Sequence, residues 1–562
     1  MIIGSFYPLD KIDSFNPLNP FAVAKHSLAR NFIRALGLYS DSNEYYFFVF
    51  PGMEKSIETS ISNLWDIDSE CKNVQISSLF NFLDILEKPN FGILHDLGGL
   101  EVSELAYIRS KFRRQPFPIT MVIWPAQLQS LAFHMALPSP PNFCSYDSLI
   151  CMNIALKDTI ERLFDDLQCA IPANTRVNRP LPQVVHIPMG IDTDIFCPRE
   201  KNDVRHQLQL PVNGKIILSF CKLSVYDNMD FVPLIRAFQQ VTERVSDVTL
   251  VIAGSDKPYE YSKQLRDFLS GVQAKDKIVL WEDVNNSAMP LLYSAADIFV
   301  SPSDTVQQFT CSTLIEAMSS GLAIVASDWN GYRDILHHGE VGFKISTFCA
   351  ECYSNIKRYF PILPNYLKQM YIAQSVAVDV EEMVHYLLLL LENDALRNKM
   401  GNLARRHAIE KYSLPVIIEQ YEELWMDLKH KAQGDCQPPS NDNFLLLEQM
   451  EIPRLHASFK VDNDTMVRRT NYGEEVLKTS HLSSYEEMKG LLYYPIMFEI
   501  LNIAHDWLSV DAIINHLVTL SEDDYSTIEQ EVLYQIMWLV KQGFIRIKKY
   551  SETLMANDDS RT

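Results

Sequence analysis

From residue 1 to about 190, short apolar runs rich in β-forming residues alternate with stretches of helical spacing. The runs are Ile2 to Tyr7, Tyr45 to Phe50, Val74 to Ile76, Phe91 to His95, Ile119 to Trp124, Ser148 to Met152 and Val184 to Ile187. Strands apolar nearly throughout are buried on both faces, and their alternation with helices is what a doubly wound parallel sheet needs. The pattern then restarts with Lys215 to Phe220, Val248 to Ala253, Ile278 to Trp281, Ile298 to Ser301 and Ala323 to Ser327. The expected fold class is α/β, with two Rossmann-like domains over 1–195 and 196–375. Ligands of such folds bind in the cleft at the carboxyl ends of the strands.

Residues 376–432 carry apolar positions at helical spacing, as in "MGNLARRHAIEKYSLPVIIEQYEELWMDL", and are expected to pack back across both domains. The stretch "KAQGDCQPPSNDN" marks a linker over 433–445. Residues 446–562 then end in "WLSVDAIINHLVTLSEDDYSTIEQEVLYQIMWLVKQGFIRIKKY", which fits two helices and a short β-wing, a small helical or winged-helix-like domain. It holds about twenty acidic and about eleven basic side chains, which argues against a nucleic-acid reader. A protein- or peptide-docking module and a structural appendage are both open.

With 562 residues the chain is too long for one core. A net charge of -21 and a pI near 5.1 argue against nucleic acid or an anionic membrane surface as the main partner. "MIIGSFYPLD" enters a strand pattern with no basic segment ahead of it, and no apolar run reaches the roughly 18 residues of a membrane span, so a cytoplasmic protein is expected. Ten cysteines lie scattered; only Cys349 and Cys352 form a CxxC pair, and no metal-ligand cluster accompanies it.

Five stretches carry a resemblance: "VVHIPMGIDTDIFCP", "LSFCKLSVYDNMDFVPLIRAF", "VTLVIAGS", "AADIFVSPSDTVQQFTCSTLIEAMSSGLAIVASDWNGYRDILHHGEVGF" and "MGNLARRHAIEKYSL". In order and spacing they resemble family 4 glycosyltransferases over residues 1 to about 430, strongly after 184. The resemblance implies a GT-B architecture that binds a nucleotide sugar between two Rossmann domains. It also implies transfer of the sugar with retention of anomeric configuration, the nucleotide sugar serving as co-substrate with no essential metal or cofactor.

The same resemblance assigns residues. Thr310, Cys311 and Ser312 open the helix that bears Glu316 and would meet the diphosphate, since helix N-termini suit phosphate oxygens. Lys222 takes the position of the family's arginine and Asn228 that of its lysine, so one cation loses its planar fork and the other its charge. Glu316 matches the carboxylate that accepts bonds from ribose hydroxyls. Gln308, eight positions earlier, stands where the family has a glutamate; an amide orients sugar hydroxyls but offers no negative charge. Trp124 stands where the family often has a histidine, leaving His95 or His134 to supply an imidazole. Asn19, in "NPFAVAKH", replaces part of a glycine loop near the donor, and Asp328 in "DWNGYRD" lines the cleft or belongs to a turn around Gly331. His337 and His338 fit a surface turn.

Two functions follow. The first is a metal-independent, hexosyltransferase-like glycosyltransferase acting on a saccharide, lipid or peptide acceptor. The alternative is a catalytically degenerate GT-B protein serving as a binding or partner subunit, with 446–562 gripping a protein or peptide.

Overall fold

The computed structural model describes residues 1–6, 31–40, 44–62, 74–97, 116–124, 143–170, 181–226, 228–257, 259–285, 287–305, 310–349, 358–433, 461–482, 491–521 and 525–548, with isolated positions 105, 106, 109, 128, 131, 132, 135 and 488. The chain forms two compact units. One comprises Met1–Phe48, Glu58–Ser77 and Leu83–Asp442; the other comprises Val49–Ile57, Ser78–Phe82 and Asn443–Thr562. Both Rossmann-like sheets thus lie in a single unit, and two short N-terminal stretches group with the appended region.

The first sheet holds β1 (Ile2–Phe6), β2 (Glu44–Val49), β3 (Val74–Ser78), β4 (Phe91–Asp96), β5 (Ile119–Val122), β6 (Ser148–Cys151) and β7 (Gln183–His186) in the order β3-β2-β1-β4-β5-β6-β7. Every register from β2 across to β7 is parallel. The second sheet holds β8 (Lys215–Phe220), β9 (Val248–Gly254), β10 (Ile278–Glu282), β11 (Ile298–Ser301), β12 (Ala323–Ser327) and β13 (Gly342–Ile345) in the order β10-β9-β8-β11-β12-β13, again parallel. In each sheet the strand order reverses beside its first strand, between β1 and β4 and between β8 and β11. Such a reversal parts the loops at the carboxyl edge and opens a crevice there.

Alternation of side chains assigns the two faces of the second sheet. Ile217, Leu250, Ile252, Ile298, Val300 and Val325 join a core with helices α1 (Val232–Arg244) and α2 (Val380–Glu392). On the other face Ile216, Leu218, Val251, Phe299 and Ile324 meet Ser312–Ser319 and α3 (Asp394–Tyr412). Gly401 lets α3 lie against the Gly321 carbonyl, where a Cβ would fall inside van der Waals contact. A short antiparallel pair, β14 (Thr347–Cys349) with β15 (Val376–Val378), precedes α2.

Helix α4 (Leu414–Gln433) returns to the first sheet, where Trp425 Nε1 donates to Thr120 Oγ1 at 3.2 Å. The outgoing and returning crossings are bonded to each other: Ile191 N–H donates to Tyr412 O at 2.8 Å and Leu414 N–H to Ile191 O at 3.2 Å.

The appended region is described over 461–548. Its central strand β16 (Met466–Arg469) pairs antiparallel with β17 (Leu508–Ser509) and β18 (Ile545–Ile547). Helices α5 (Asn471–Thr479), α6 (Tyr494–Ile503), α7 (Val510–Val518) and α8 (Tyr525–Lys541) cover it around a core of Val467, Met497, Ile500, Ile513, Ile514, Val532 and Ile536. Among the described residues, no helix is long and apolar enough to cross a membrane.

Candidate functional site

The crevice between β8 and β11 gathers the loop after β8, the loop after β11 and the helix Ser312–Ser319. The first loop is a tight turn: Tyr226 N–H donates to Ser224 Oγ at 3.1 Å, and the N–H groups of Asn228 and Met229 reach Ser224 O at 3.2 and 3.1 Å. Its base lies against the end of β9. Leu223 N–H donates to Ser255 O at 2.8 Å, and Gly254, at φ 155°, leaves no room for a Cβ beside the Cys221 carbonyl. The Lys222 ammonium sits 4.9 Å from the centre of the Tyr259 ring, a cation–π contact. Tyr226, Tyr259 and Tyr366 form an aromatic cluster with centroids 4.8 to 6.2 Å apart.

The second loop is held from behind. Ser327 Oγ donates to Ser303 O at 2.6 Å and Trp329 Nε1 to Thr305 O at 3.0 Å. Cys311 then takes a left-handed conformation at φ 53°, unusual for a residue other than glycine, and the helix begins at Ser312. Thr310 stands at the bend ahead of it. Burial pushes the Cys311 thiol well above its usual range, which favours the protonated thiol. Gln308 and Asn19 lie outside the described residues, as do His134 and Cys352.

Two carboxyl groups stand out in electrostatic terms. Glu316 is buried, accepts a 2.8 Å bond from the Tyr293 hydroxyl, and has its pKa pushed up to about 7 by desolvation, which that bond only partly offsets. Asp304, 5% exposed on the second loop, is likewise raised to about 7, by burial first and then by the charge of Asp230. One of its oxygens accepts a long 3.4 Å bond from Asp230 N–H; the other, Oδ1, has no hydrogen-bond partner. Asp304 was not among the residues singled out from the sequence. Only "PSDT" at a strand end signals it there, and its contact with Asp230, 74 residues earlier, is not visible in the sequence.

The remaining positions divide. Asp328 is half-buried, with Arg333 Nε at 3.3 Å and Lys344 Nζ at 3.5 Å. Gly331 provides the turn's close approach: a Cβ there would lie 2.6 Å from Cys311 Sγ and 2.8 Å from Asn153 Cβ. Here the first domain touches the second, through Ile154 N–H donating to Asp334 at 2.9 Å and Asn153 Nδ2 to Asn330 Oδ1 at 3.4 Å. Trp124 has no exposed surface and donates to Leu97 O at 3.0 Å, so it is a packed side chain and not an open cleft wall. His95 is buried among Phe32, Tyr421 and Trp425, 2.9 Å from Thr120 Oγ1, and desolvation lowers its pKa to about 3; it offers no imidazole to a ligand. His337 and His338 sit on an exposed turn, as the sequence suggests. Among the described residues no group of His, Cys, Asp or Glu is arranged to hold a metal ion.

Residues 214–358, which contain the whole crevice, match the family described as "Glycosyl transferases group 1". The phosphatidyl-myo-inositol mannosyltransferase of Mycobacterium tuberculosis is 27% identical over 243 residues, 43% of this chain and 53% of that protein. The lipopolysaccharide 1,2-N-acetylglucosaminetransferase of Salmonella typhimurium is 23% identical over 175 residues, 30% of this chain and 44% of that protein. The chain therefore spans about half the length of the curated relatives it matches. The crystal structure of a glycosyltransferase from Rickettsia africae superposes with a TM-score of 0.51 at 15% identity, covering 76% of this chain and 98% of that one, a likeness of fold. Residues 214–358, the group 1 domain by that match, thus sit on a GT-B scaffold of two parallel-sheet Rossmann-like domains.

Proposed function

We propose that the chain transfers a sugar from a nucleotide-sugar donor to an acceptor, with retention of anomeric configuration and without an essential metal. The observation that carries this is the coincidence of three features in the group 1 domain: the strand-order reversal at β8 and β11, Lys222 on one loop, and a helix N-terminus on the other. A cation and a helix N-terminus carried on the two loops of one crevice suit a diphosphate leaving group.

In this reading Lys222, with Thr310, Cys311 and Ser312, holds the diphosphate, and Asn228 donates a neutral bond in place of a second cation. Glu316 accepts from the ribose hydroxyls, and Gln308 orients the transferred sugar. The acceptor is a saccharide, lipid or peptide. The raised pKa of Glu316 gives a signature. Hydroxyl donors favour its ionised form, so donor affinity rises with pH up to about 7 and is flat above.

Calorimetric titration in EDTA with UDP, GDP and ADP conjugates tests the proposal, starting with mannose and N-acetylglucosamine because relatives are named for those sugars. Metal-free binding that weakens about tenfold or more on Glu316→Ala is expected. NMR of the product anomer reads the stereochemistry. Failure of every conjugate to bind would sink the transferase assignment in favour of a partner subunit.

A further inference from the structure

The appended region holds a groove of 880 Å³ that sugar transfer leaves unused. Tyr493 and Ile496 at the start of α6, Leu517 and Leu520 at the end of α7, and Ile528 and Tyr534 on α8 line it. Leu517 and Ile528 are buried and form the floor, while Leu520 is 65%, Tyr493 57% and Tyr534 45% exposed along the rim. Single exposed apolar side chains are ordinary, but three around one concavity make a contiguous surface that water solvates poorly. The walls are braced from within: buried Gln535 donates from Nε2 to Leu491 O at 2.9 Å and accepts from Tyr493 N–H at 3.3 Å. The groove is therefore preformed.

Charge narrows the occupant. Glu499 and Glu531 line the groove, and among the described residues no Lys or Arg does. Glu499 is 2.7 Å from His516 Nε2, whereas Glu531 is exposed and has no salt bridge among the described residues. An acidic rim on a chain of net charge -21 repels acidic ligands, including a second copy of this chain, and draws cations.

We propose that this groove docks a basic amphipathic peptide segment of another protein, its apolar side chains at helical spacing filling the channel and its Lys or Arg residues meeting Glu531 and Glu499. The proposal stands whether or not the group 1 domain transfers a sugar.

The full chain is titrated, by fluorescence anisotropy, with a labelled Leu/Lys peptide of about fifteen residues whose leucines fall at i, i+3, i+4 and i+7. A peptide with Glu replacing Lys should bind about tenfold more weakly or worse, and Glu531→Lys should weaken the Lys peptide several-fold. Leu520→Glu decides the location. It makes the chain more acidic, so diffuse electrostatic attachment would strengthen, whereas groove docking weakens about tenfold or more. Unchanged or tighter binding by that variant overturns the proposal. So does a wild-type dimer that Leu520→Glu dissociates, which would assign the groove to a second copy. Leu520-dependent binding of a free peptide of residues 443–460, in place of the Leu/Lys peptide, would assign it to the chain itself.

Discussion

In the group 1 domain Asp297, Glu316 and Asp304 are carboxyl groups withdrawn from water, whereas in the appended region Leu520, Tyr493 and Tyr534 are apolar side chains left in it. Both arrangements cost stability, but the carboxyls show how a strut differs from a site. Burial raises the Asp297 pKa, yet Lys201 at 2.7 Å, the Ile216 N–H at 2.8 Å and Arg205 at 2.7 Å more than reverse it, and the group ends below its ordinary value. Glu316 has one hydroxyl partner and Asp304 one long bond, and both remain near 7. A fully compensated carboxylate holds the fold; an under-compensated one at a crevice is a candidate for ligand contact.

The comparison breaks first at Asp297. Replacing it with Ala leaves Arg205 buried without its anion, and a loss of about 3–5 kcal/mol is expected in urea unfolding. Next comes Glu316. Its folded pKa lies above the ordinary value, so the native state keeps a proton that the unfolded chain has released between pH 4.5 and about 7. Stability from this group is present below that window and declines as pH rises through it. Glu316→Gln should flatten the pH-stability profile across the window, by on the order of 2–3 kcal/mol, as read by denaturant midpoints at pH 5 and pH 8. Gly401→Ala, which forces α3 off the Gly321 carbonyl, is expected to cost about 1–3 kcal/mol in the same assay. The smallest effect sharpens the contrast: Leu520→Glu should shift stability by no more than about 0.5 kcal/mol, because that side chain is solvated already.

How much was legible from sequence follows the same physics. Lys215–Phe220, Ile298–Ser301 and Ala323–Ser327 were readable to the residue, since a central parallel strand buried on both faces writes a continuous apolar run. β13 was not read as a strand: Gly342–Ile345 is short, carries Lys344, and sits at the sheet's edge. The site residues were reached through motif resemblance, and their environments were not. Nothing local tells that His95 is walled in by Phe32, Tyr421 and Trp425, or that Trp124 is fully enclosed, because α4 covers His95 only after the chain has crossed the molecule twice. Asp304 is not legible either, because the group that contacts it, Asp230, lies 74 residues away in the sequence.

The bonded crossings at Ile191, Tyr412 and Leu414 also have a mechanical meaning. Two bodies joined by separate tethers can slide, splay and twist, but tethers stitched side by side act as a single pin. A relative rotation of the two sheets would turn about that pin, and it would have to break the bonds of Asn153 and Ile154 to Asn330 and Asp334.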